Sequence, residues 1–203
     1  MAPDPALVGL GIVILFAMAV REYGAFHLMD YPIFLGVAAY LALTGLQRTL
    51  FGARPLDVVR WAAGITLMWA SIEKWAYPEW TFPLFASHPA MTMGYAGEFF
   101  MRAAGVVEFT LAFALVWTPL VRRAAAIMLA GTFISAVVEF GKIDAIGHSA
   151  IIVVLLAIAA DDARVPDERR HPLLIPVSYS TALAGFLAVY YAAHAALFGT
   201  TII

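Results

Sequence analysis

The chain has 203 residues, 63% of them hydrophobic and only 13% charged, and its mean hydropathy is +0.87. A soluble domain of this size carries about a quarter charged residues and still has a large surface to cover, so the composition argues against a soluble globule and implies an integral membrane protein. The net charge of −2 gives no reason to expect nucleic acid or an acidic partner, and the absence of cysteine removes disulfides, thiol redox catalysis and thiolate metal sites.

A membrane-crossing helix needs about 20 mostly apolar residues. The first candidate is residues 5–20; no Lys or Arg precedes it, so it lacks the positive region of a signal peptide and reads as a retained first span. Residues 32–46 form a second, equally short span. The third covers 56–75, with Arg60 near one end, and the fourth 99–120. The fifth covers 123–140, the sixth 144–160 and the seventh 173–198. The expectation is an all-α, polytopic transmembrane helix bundle of seven spans, with six as the fallback count if one short segment does not cross. It forms a single transmembrane domain over 1–203, because brief connections suit antiparallel neighbours. Residues 77–97, YPEWTFPLFASHPAMTMGYAG, are the exception. Their three prolines oppose a continuous helix, and aromatics such as Trp80 suit a cap loop at headgroup level on the outer side.

Lys and Arg set the orientation. With the N-terminus in the cytoplasm and the C-terminus outside, the inner connections hold eight of these residues and the outer side four. His148, His194, Glu73, Glu139 and Asp144 then fall in the outer half, and Glu108 lies about ten residues into the fourth span. The inner halves of the helices hold few ionisable groups, which counts against a charged route for transport.

Glu108, in RAAGVVEFTLAFALVW, has apolar residues on every side. A charged carboxylate there costs about 3 kcal/mol on insertion scales, so it must be neutral, paired or facing a cavity. It reads as functional ahead of a packing role. Glu73 and Lys74 end the third span. Adjacent residues point apart on a helix, so Lys74 is expected to reach outward to the interface while Glu73 turns into the bundle; an ordinary charged helix end is the competing reading. In VVEFGKIDAIGH, residues 137–148, Gly141 is expected to break the chain between two helices. Asp144 then becomes a natural N-cap, and His148, four residues on, shares its face. Glu139 and Lys142 flank the break. An Asp and a His at this spacing suit a shared proton or a cation, although a metal site needs three or four ligands. Glu108, Glu139, Asp144 and His148 are the metal-ligand candidates. His194 reads more simply as a buried histidine bonded across helices. No nucleotide loop, nucleophile elbow or two-His metalloprotease signature occurs.

The stretches GITLMWASIEKWAYP in the third span and AGVVEFTLAFALVWTPLVRRAAAIMLAGTFISAV across the fourth and fifth, followed by the sixth span, give residues 63–160 a pattern. An apolar helix ends in a polar-Lys turn at Lys74, a helix follows with an early Glu at Glu108, and a short loop carries Arg122 and Arg123. This block resembles the DoxX-like family of small membrane proteins. The resemblance implies a four-helix core over 63–160, with the first two spans and the seventh outside it. It also implies a place in the bacterial inner membrane and association with membrane redox systems, including a quinone-reducing thiosulfate oxidoreductase, and with partner oxidoreductases. The family's thiol-redox branch needs cysteines that this chain lacks, and the charge of FGKIDAIGH points to a specialised subgroup.

Three functions follow as expectations. The first is an accessory protein or subunit of a redox system, with an outward pocket for quinone binding or proton relay. Its proton-transfer residues are Glu108, Asp144 and His148, and its binding residues are Glu73, Lys74, Trp80, Glu139, Lys142 and His194. Quinone carbonyls need a donor and the reduced form a carboxylate. The second is divalent-metal binding or transport. The third is an enzyme acting on a lipidic substrate through a carboxylic acid.

Overall fold

The computed structural model describes residues 3–25, 29, 31–76, 88–161 and 173–199. Seven α-helices lie among them: α1 (Pro5–Tyr23), α2 (Pro32–Gly45), α3 (Pro55–Ala76), α4 (Gly97–Trp117), α5 (Arg122–Phe140), α6 (Lys142–Ala160) and α7 (Leu174–Phe198), with one turn of 3₁₀ helix at Pro89–Thr92. The protein is all-helical over these residues; the sole strand-like pairing among them is an isolated bridge between Leu50 and Ala53.

Local chemistry sets the helix ends. Asp4 accepts the Ala6 N–H at 2.8 Å, Pro5 occupies the first position of α1, where a missing N–H costs nothing, and Gly24 at φ 82° stops the helix. α4 ends at Trp117 rather than at the expected 120, because Pro119 disfavours helical backbone in the residue before it; the Thr118 N–H and hydroxyl both donate to the Ala114 carbonyl, at 3.2 and 3.0 Å. Gly141, at φ 80° and ψ −147°, closes α5 and opens α6. α6 therefore begins at Lys142. Asp144 lies within its first turn and does not cap it, which corrects the N-cap expectation.

Four helices, α1, α4, α5 and α7, are long and apolar enough to cross a membrane; α2 and residues 144–160 of α6 are apolar but shorter. Large apolar side chains face outward along them: Leu7, Leu15 and Met18 on α1, Val138 on α5, and Ile146 and Val153 on α6. So much exposed apolar surface marks a lipid or protein contact face, and with helices of this length it is compatible with an integral membrane protein in contact with lipid.

The chain forms two compact units, and α3 and α4 each contribute one part to either. The first unit holds α1, α2, α5, α6, the part of α3 up to Thr66 and the part of α4 from Leu111. Small residues bring its helices together: a side chain at Gly9 would stand 2.7 Å from the Ala38 carbonyl oxygen. The Ile33 N–H, left unpaired by the start of α2, donates to Thr66 Oγ1 of α3 at 2.9 Å. Ala63, Ala112, Leu115, Ala126, Leu129 and Leu155 form the core.

The second unit holds α3 from Leu67, α4 up to Thr110, and α7. Its core is more aromatic. Trp69 packs on Tyr190 with ring centroids 5.1 Å apart, and Phe109 meets Tyr179 and Phe186 edge-on at 5.6 and 5.9 Å. Such edge contacts are favourable for aromatic rings.

Candidate functional site

In the second unit, Ser71 and Lys74 are three residues apart on α3, and Gly105 and Glu108 are three apart on α4. Each pair therefore shares one helix face. The two faces meet at Gly105, where an added Cβ would lie 2.8 Å from the Ser71 carbonyl oxygen and 3.4 Å from Lys74 Cβ. This approach brings the Lys74 ammonium onto Glu108 Oε2 as an ion pair. Glu108 is buried, with 7% of its surface exposed, whereas the Lys74 side chain keeps 27%. Of the sequence-level alternatives for Glu108, the geometry realises pairing. Lys74 meets the carboxylate because its partner lies within the length of its stem. Removing ions from water costs several kcal/mol each, and close pairing offsets that cost.

Aromatic groups of α7 complete this unit. Thr110 Oγ1 lies 3.0 Å from the Tyr179 hydroxyl. His194 is buried and lies between Tyr190 and Phe198 of its own helix, at ring distances of 6.3 and 4.8 Å. Glu73 is half-buried beside the pair in sequence.

In the first unit, His148 Nδ1 and Asp144 Oδ2 are 2.9 Å apart on one face of α6, and Phe133 of α5 tilts against the imidazole at 4.9 Å. A carboxylate accepting from Nδ1–H fixes the ring and leaves Nε2 as the exchanging nitrogen. Glu139 and Lys142 are exposed on either side of Gly141. Trp80 lies outside the described residues. Among the described residues no three His, Asp or Glu side chains gather in a group that could hold a metal ion, so the set Glu108, Glu139, Asp144 and His148 gains no geometric support there.

A third constellation escaped the sequence reading. Arg54 bridges Asp57 of α3 and Asp161, just past α6, at 2.9 and 2.8 Å. Arg60 is buried; it holds Asp57 at 3.2 Å and donates to the Leu115 carbonyl at 3.0 Å. Arg122 donates to the same carbonyl at 3.1 Å, and Arg123 to the Asp161 carbonyl at 2.7 Å. The carboxylates of Asp57 and Asp161 raise the Arg54 guanidinium above its ordinary value, chiefly by hydrogen bonding. The signal was present as Asp57 and Arg60 at i,i+3, but the partner at Asp161 is more than a hundred residues away and only folding brings it near.

No family model, no curated protein and no solved structure matches this chain.

Proposed function

We propose that the protein is a DoxX-like subunit of a membrane redox system in a bacterial inner membrane, crossing seven times with its N-terminus in the cytoplasm and its C-terminus outside. Lys74 and Glu108 are its quinone-binding and proton-relay site. The observation that carries this reading is the buried ion pair between α3 and α4. A carboxylate and an ammonium held in apolar surroundings supply what a quinone requires. Lys74 donates a hydrogen bond to a quinone carbonyl, and Glu108 exchanges the proton that accompanies reduction or oxidation. A proton passing from Lys74 to Glu108 neutralises both groups, so the exchange leaves no isolated charge in a low-dielectric site. Electrons come from a partner oxidoreductase. Asp144 and His148, 2.9 Å apart, form a second pair able to share a proton. The resemblance over 63–160 supports the redox setting.

Trp69 and Trp75 share α3 with Lys74, so tryptophan quenching by decylubiquinone in detergent reports binding. We expect Lys74→Gln and Glu108→Gln each to weaken binding at least tenfold. Arg102→Gln, which disturbs only the exposed Glu98–Arg102 pair at 2.7 Å, leaves binding unchanged. Absence of saturable quenching in the unaltered protein refutes the quinone site.

A further inference from the structure

An apolar groove lies within the first unit between α2, α3 and α6. Its volume is about 430 Å³, inside the range of about 300–1,000 Å³ typical of small-molecule sites. Val37 and Leu41 of α2, Leu56 and Val59 of α3, and Val153 and Ala157 of α6 form its walls. The groove has a direction. Ser149, Val153 and Ala157 repeat every four residues along one face of α6, and the next residue in that series is Asp161. Leu56 on the facing wall is followed by Asp57. Both walls thus lead to the point where Arg54 bridges Asp57 and Asp161, with Arg123 bonded to the backbone of Asp161. The stripe from Ser149 to Asp161 is roughly 18 Å long at 1.5 Å per residue.

This end is rich in positive charge however its side chains pair. Among the described residues, the segments 46–60 and 118–123 together with Asp161 hold five arginines against two acidic residues. An apolar trough that ends in a basic cluster is complementary to one kind of molecule, a long hydrocarbon chain with an anionic head. We infer that this groove binds an anionic glycerophospholipid. One acyl chain lies along α6 and the phosphate meets the arginine cluster around Arg54 and Arg123. Arginine suits the head because its planar guanidinium offers paired donors to phosphate oxygens. The inference is independent of the quinone reading, since it uses none of the residues of the Lys74 site.

The full-length protein, reconstituted in vesicles of equal phosphatidylglycerol and phosphatidylcholine and re-extracted in mild detergent, is weighed by native mass spectrometry. Retained phosphatidylglycerol is expected to exceed phosphatidylcholine about fivefold or more. Ala157→Trp fills the groove and removes the retained lipid. Val153→Phe fills it from another turn and keeps the test decisive should the first variant fail to fold. Arg123→Gln retains lipid but lowers the preference about fivefold, the equivalent of about 1 kcal/mol for one arginine near an anionic headgroup. Equal retention of the two lipids by the unaltered protein overturns the proposal. So does undiminished retention in both groove-filling variants, or a dimer that dissociates on Ala157→Trp, since a second copy would then be the occupant.

Discussion

Glu108 and Lys74 decide most at the scale of single residues. A lone acid in RAAGVVEFTLAFALVW announces itself, because hydrocarbon surroundings penalise it by several kcal/mol. What satisfies it is a lysine 34 positions earlier, and no local pattern links the two. The pair makes a quantitative prediction. Glu108→Gln leaves the Lys74 ammonium facing a neutral amide. The loss of stability should approach the lower end of the roughly 3–5 kcal/mol seen when one partner of a buried pair is removed, because Lys74 keeps 27% of its side chain exposed. Lys74→Met combined with Glu108→Leu should recover most of that loss. Unfolding of the purified protein in mixed micelles measures both. A double variant no more stable than Glu108→Gln would show that the unpaired Lys74 ammonium is not the source of the loss.

Helices and their contacts were legible to different degrees. Apolar runs placed all seven segments within three residues of their observed ends, since an apolar stretch of fixed pitch has few other ways to satisfy its backbone in lipid. Contacts were less legible, because they depend on which small residue meets which neighbour. Gly105 illustrates this. In sequence it is one of fifteen glycines, yet a Cβ there would press on the Ser71 carbonyl, whereas one at Gly131 of α5 would meet nothing within 4 Å. Gly105→Ala should destabilise the protein by about 1–3 kcal/mol, the usual cost of overfilling a close contact, and should separate Lys74 from Glu108. Gly131→Ala should be neutral or stabilising by up to about 1 kcal/mol, since alanine favours helix over glycine. Thermal unfolding in detergent distinguishes the two. Asp144 taught the same lesson at a helix start. Its spacing to His148 was legible, but Gly141 starts α6 two residues earlier than expected and leaves the carboxylate to the imidazole.

At the scale of the whole molecule, the proposed orientation follows from the distribution of arginine. The absence of cysteine makes it directly testable. Tyr95 and Leu120 lie before and after α4, and both are exposed, at 58% and 95%. A membrane-impermeant maleimide should label Tyr95→Cys in intact cells and Leu120→Cys only after permeabilisation. The opposite pattern would invert the topology, and labelling of both from outside would mean that α4 does not cross.

Composition and apolar periodicity by themselves determined that this chain is helical, where its helices run, and that Glu108 demands a partner. Each follows from the local cost of placing backbone or charge in an apolar solvent. Only the tertiary structure decided who the partners are. Lys74 with Glu108, Arg54 with Asp161 and the groove along α6 depend on the close approach of helices distant in sequence, and that approach is set by packing, which no single stretch of the chain encodes.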